Sequence, residues 1–79
     1  MPHVSLHPGK SLDLNQGDKD EIQNHSDKEG DYTVAFHTHP LVVKHTLKPG
    51  HHVTMHVPQG GVTIANDGHV GLTVVTPGP

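Results

Sequence analysis

Cysteine, tryptophan and arginine are missing from this chain of 79 residues, and Tyr32 and Phe36 are its only aromatic residues besides histidine. Each gap removes a class of behaviour. Without cysteine there is no disulfide, no thiolate metal site and no cysteine nucleophile, and the redox compartment is left open. Without arginine, and with a net charge of -3, the chain lacks a phosphate-binding footprint, so no nucleic-acid partner is expected. Without aromatic mass the core has to be built from Val, Leu, Ile and Met, which bury less area per residue. A chain of this length buries only about 60% of the surface its unfolded form exposes, so self-association is expected to support it.

Longer signals are missing too. No apolar run approaches the roughly 20 residues of a membrane span, and the N-terminal MPHVSLHPGK has no signal-peptide core. The expectation is a protein without a membrane partner, cytoplasmic or part of a virion or similar assembly. A Gly-x-Ser-x-Gly elbow, a phosphate loop and a dinucleotide fingerprint are all lacking, and no enzymatic activity is expected.

What is present is unevenly distributed. Residues 1–36 carry seven acids (Asp13, Asp18, Asp20, Glu21, Asp27, Glu29 and Asp31) against three lysines, whereas residues 37–79 carry Asp67 alone and seven of the ten histidines. The acids of GDKDEIQNHSDKEGD do not fit a calcium loop, which needs Gly at its sixth position and Glu at its twelfth, and they read as a solvated acidic hairpin. Asn24-His25-Ser26 has glycosylation spacing, but without a recognisable secretory signal no glycosylation is expected.

The chain also resembles itself. SLHPGKSLDL at Ser5 to Leu14 aligns with TLKPGHHVTM at Thr46 to Met55, forty-one residues later. Ile22-x-Asn24 then resembles Ile64-x-Asn66, and Tyr32-Thr33-Val34 resembles Leu72-Thr73-Val74. The economical reading is one β domain over 1–79 made of two similar halves, 5–36 and 46–76. Alternation places Leu12, Leu14, Ile22, Tyr32, Val34 and Phe36 on the core face of the first half. Val53, Met55, Val57, Val62, Ile64, Val70, Leu72 and Val74 take the same face in the second. Pro8-Gly9 and Pro49-Gly50 punctuate before strands, Asp67-Gly68 signals a tight hairpin, and Leu41 to Leu47 forms a further strand. The fold class is all-β: a small sandwich or barrel of about seven short strands.

The same register turns His37, His39, His52 and His56 outward and makes Met55 a core filler. On a strand, His37 and His39 would stand about 7 Å apart at the backbone, near enough to share a metal, while His52 and His56 are about 13 Å apart and need help from elsewhere. Neutral imidazole suits Zn, Cu or Ni, and a tight site takes three or four convergent ligands. Ordinary imidazole also titrates near pH 6.5, which suits a pH-responsive interface. The remaining alternative is that these histidines are simply solvated.

GDYTVAFHTHP followed by LKPGHHVTMHVPQGGVTIANDG resembles a fragment of the cupin pattern, in which a His-x-His strand and a Pro-x-Gly turn line a metal-binding barrel. Val43 stands where that pattern has its metal-binding Glu, and Thr63 stands near its third His. Convergent turn chemistry accounts for the likeness, and no family is assigned from it.

The functional expectation is a non-enzymatic structural or assembly module that forms homo-oligomers or decorates a larger assembly such as a virion or filament. The alternative is a small transition-metal-binding protein using His37, His39, His52 and His56. A carbohydrate-binding module is disfavoured, because stacking aromatics are nearly absent.

Overall fold

The structure is a computed structural model that describes residues 2–77. Among these residues there are eight strands and no helix: β1 (His3–Leu6), β2 (Ser11–Leu14), β3 (Lys19–Gln23), β4 (Gly30–Phe36), β5 (Val42–Leu47), β6 (His52–His56), β7 (Val62–Asn66) and β8 (Leu72–Val75). They form two four-stranded antiparallel sheets, one ordered β1-β8-β3-β6 and the other β2-β7-β4-β5. The architecture is thus a small β-sandwich. The strand that alternation alone did not mark is β1.

Side-chain alternation explains why the sheets face each other. On β3, β7 and Gly30–Val34 of β4 every second residue is buried, β8 starts in the same way before burying both Val74 and Val75, and Ile22, Val62, Ile64 and Val74 are fully enclosed. Leu6, Leu14, Tyr32, Val34, Leu47, Val57 and Leu72 complete the core, with Leu12, Phe36 and Met55 packed partly against it. Met55 is therefore core filler, as its parity suggested. Val53 has the same parity but is 37% exposed, because β6 lies at a sheet edge where nothing covers its outer side.

The turns do something the hairpin readings did not anticipate. Only β4 and β5 are consecutive strands that pair with each other; every other described connection carries the chain from one sheet to the other. Asp67-Gly68 accordingly joins β7 of one sheet to β8 of the other and makes no hairpin. The acidic segment 17–31 likewise contributes β3 to one sheet and β4 to its partner, so the expected solvated hairpin is absent. Asp20, one of its acids, points into the core and is fully enclosed.

Exchanging β1–β4 with β5–β8 turns the order β1-β8-β3-β6 into β5-β4-β7-β2, which is the second sheet read backwards. Two buried asparagines obey the same exchange. The Asn24 amide nitrogen donates to the carbonyls of Leu47 and Lys28, both at 2.8 Å. That of Asn66 donates to the carbonyls of Leu6 at 2.9 Å and Val70 at 2.8 Å. Each Asn oxygen accepts a backbone N–H two residues on, from Ser26 and Gly68 respectively, both at 3.0 Å. Each Asn carbonyl accepts from the glycine of a Pro-Gly turn in the other half, Gly50 at 2.9 Å and Gly9 at 2.8 Å. Both glycines have positive φ, +74° and +84°, which a side chain would disfavour. The Asn24 amide is thus committed to the fold.

Candidate functional site

The polar cluster with the most defined geometry lies at the end of the sandwich formed by the β4–β5 and β6–β7 loops. Phe36 at the end of β4 pairs with Val62 at the start of β7. His37 is therefore delivered beside Gly61, whose carbonyl accepts its backbone N–H at 3.2 Å. Gly61 has φ +83°, and a Cβ there would come within 2.7 Å of the Leu14 carbonyl oxygen and 3.2 Å of His37 Nδ1. Only glycine lets the three segments approach so closely.

The imidazole then lies along the outer face of its sheet. Its Nδ1 is 3.0 Å from the Gly60 carbonyl, and its Nε2 is 2.7 Å from Thr63 Oγ1. Thr63 Oγ1 donates in turn to Asp13 Oδ1 at 2.6 Å, and the β2–β7 register sets these two residues directly opposite each other.

The residue types are those of a hydrolytic triad, but the order is wrong for one. In a triad the imidazole stands between hydroxyl and carboxylate and draws the proton from the hydroxyl. Here the hydroxyl stands between imidazole and carboxylate and already gives its hydrogen to Asp13. Thr63 is therefore not activated for attack, and the network acts as a tie across β2, β7 and the 37–41 loop. Its end groups are wet, with the His37 side chain 41% and that of Asp13 77% exposed.

The four candidate metal ligands are spread across this frame. His37 lies just beyond β4 with both ring nitrogens engaged. His39 borders a shallow cleft of about 370 Å³ with Thr38, Pro58 and Gln59. His52 and His56 belong to β6 in the other sheet, where they stand opposite Gln23 and Lys19. Among the described residues, no group of three or more His, Asp or Glu side chains is placed to hold a metal ion.

Two further groups escaped the reading of the sequence. His45 stacks on Tyr32 across the β4–β5 ladder, with ring centroids 5.3 Å apart and planes 20° from parallel. Burial raises the Tyr32 phenol above its ordinary pKa. Asp20 is the more unusual, since both of its carboxylate oxygens are enclosed without a hydrogen-bond partner. Burial pushes its pKa up, and the nearby Asp18 charge adds to the push. Its parity with Ile22, two residues on, was the available signal. Pairing sets Asp20 opposite Met55 and Val62 opposite Leu14, so Asp20 occupies the place that Val62 fills in the other half.

Comparison with protein-family models, characterised proteins and solved structures yields no significant match to this chain.

Proposed function

We propose that the chain is a non-enzymatic structural module that acts by assembling, either with copies of itself or as a small subunit on a larger assembly of the virion or filament kind. The observation that supports this reading is the rim formed by β5 and β6, one edge strand of each sheet. Leu41, Val42 and Val53 are 50%, 63% and 37% exposed there. An edge strand offers unpaired backbone donors and acceptors to a further strand, and soluble proteins usually blunt such edges with charge or proline. Here an exposed valine opens β5. The cleft beside His39 is shallow, and the hydroxyl beside His37 is already committed to Asp13, which favours a non-catalytic role.

Sedimentation velocity from about 10 to 500 μM tests the reading against Val42→Lys. The expected result is concentration-dependent association of the wild-type chain that the lysine suppresses, at unchanged fold by circular dichroism. A wild-type protein that stays monomeric across that range, and binds no assembly partner through this rim, would refute it.

The alternative is metal binding through His37, His39, His52 and His56. It has no comparable observation behind it, because His37 is engaged on both sides and the other pair lies in the opposite sheet.

A further inference from the structure

Divide the chain at the 37–41 loop and consider which strands hold which. The six ladders are β1–β8, β2–β7, β3–β6, β3–β8, β4–β5 and β4–β7. Every one of them joins a strand of the first half to a strand of the second. Among the described residues, no strand of β1–β4 pairs with another of β1–β4, and none of β5–β8 with another of β5–β8. The supporting bonds cross in the same way: Asn24 to Leu47, Asn66 to Leu6, Gly17 to Val57 and His37 to Gly61. Neither half can begin a sheet by itself, because the complementary surface of each is the other half.

We infer that the two halves of this chain are exchangeable between copies, so that a second copy of the same chain is a partner for its interior. In the exchanged dimer, β1–β4 of one copy is completed by β5–β8 of the other, and the reverse. All six ladders are kept, and the only element that changes path is the connection 37–41. That connection is suited to it. His-Thr-His-Pro-Leu contains no glycine and no residue of positive φ, and Pro40 biases His39 toward an extended backbone.

The geometry also closes. β4 and β5 are antiparallel neighbours, with Ala35 opposite Val42 and the Phe36 N–H donating to the Leu41 carbonyl at 3.1 Å. If each chain runs straight from β4 in one sandwich into β5 in the next, the two crossing segments form one continuous antiparallel ribbon. The assembly is then a two-fold dimer without open ends. With the native loop, the tethered half competes at an effective concentration in the millimolar range. Exchange therefore grows when the chain refolds at comparable concentrations, or when the loop is too short to reverse.

This association uses the interior of the sandwich and does not rest on the β5–β6 rim, so Val42→Lys leaves it intact and separates the two ideas. The first test is the full chain with residues 37–41 deleted, which joins Phe36 directly to Val42 and forbids the hairpin. Light scattering after size exclusion, with circular dichroism, should show wild-type β content at twice the chain mass. A folded monomer would overturn the inference. The deletion also removes the bonds of His37 and can unfold the chain outright, so a second measurement uses intact loops. Full-length Ile22→Asp and Ile64→Asp chains, each damaged at a fully enclosed core position in one half, are unfolded together and refolded as an equimolar mixture. Exchange builds one undamaged sandwich per pair. The expected signal rises to about half that of wild type, in a species of two-chain mass. A mixture whose signal equals the mean of the two chains refolded separately overturns the inference.

Discussion

Replacing Asp20 with valine should make this protein more stable, and by more at neutral pH than in acid. The side chain is enclosed, with neither carboxylate oxygen bonded. A buried polar group left without a partner costs about 1–3 kcal/mol even when uncharged, and a fully buried valine contributes about 1.5–3 kcal/mol relative to an exposed one. The two terms overlap, because the Asp Cβ is already buried, and we expect a net gain of about 2 kcal/mol at pH 7. At about 4–8 °C per kcal/mol for a domain of this size, that is a Tm rise of about 8–16 °C. Val62, enclosed at the equivalent place in the other half, shows that the sandwich accommodates the shape.

The pH dependence follows from the raised pKa of Asp20 in the folded state. In the unfolded chain an Asp loses its proton near pH 3.9. As pH rises past that value the unfolded state sheds a proton that the folded state still holds, so the native state loses stability until the folded pKa is passed. Asp20→Val abolishes that slope. Its advantage over wild type should be smallest near pH 4 and grow toward pH 7. Asp20→Asn removes the titration but keeps an unpartnered amide, so it should be near neutral at pH 4 and stabilising at pH 7. Urea unfolding of the three proteins at several pH values measures this, and the differences from wild type cancel the titration of all other groups. A destabilised Asp20→Val protein, or an advantage that does not change with pH, would refute the reasoning.

Two further outcomes are expected. Asn24→Ala and Asn66→Ala each remove a buried amide that donates to two carbonyls, so each should cost about 2–4 kcal/mol; the Ser26 hydroxyl bonded to the Asn24 oxygen and the Lys28 carbonyl is the one difference between the sites, since Gly68 takes its place beside Asn66. Thr63→Val cuts the link between Asp13 and His37 and should cost about 1 kcal/mol; Asp13→Ala added to it should then cost almost nothing more, a non-additivity that a double-mutant cycle reads directly.

Much of the strand content was legible because a half-buried strand writes its face into every second residue. Tyr32, Val34, Ile64, Leu72 and Val74 could be placed in the core on that basis, and they are there. The alignment of SLHPGKSLDL with TLKPGHHVTM, carried a little upstream, would also have marked β1 as the counterpart of β5. What alternation does not encode is where a strand goes after its turn. Asp67-Gly68 reports a chain reversal equally well whether the next strand returns beside the last or crosses to the opposite sheet, and here it crosses. The same blindness left Asp20 in a supposed solvated hairpin. The site was half legible for a related reason. His37 was singled out as exposed and polar, but its partner Thr63 lies 26 residues away and Asp13 lies 50 residues from Thr63, and only the register that sets Asp13 against Thr63 brings them together.

A ribosome makes this chain from one end, and the cross-paired ladders mean that what it makes first has nothing to hold. Among the described residues β1 pairs only with β8, so the segment His3–Leu6 must wait for Leu72–Val75 to be synthesised. At about 5–20 residues per second, that wait is about 3–14 s. Throughout it, Leu6, Leu14 and Ile22, all buried in the finished protein, remain in water or in contact with whatever is nearest. On a message carrying several ribosomes, the nearest matching surface is the second half of a copy begun slightly earlier. If the halves exchange between copies, the spacing of ribosomes along the message becomes a physical variable in whether a newly made chain closes on itself or on its neighbour.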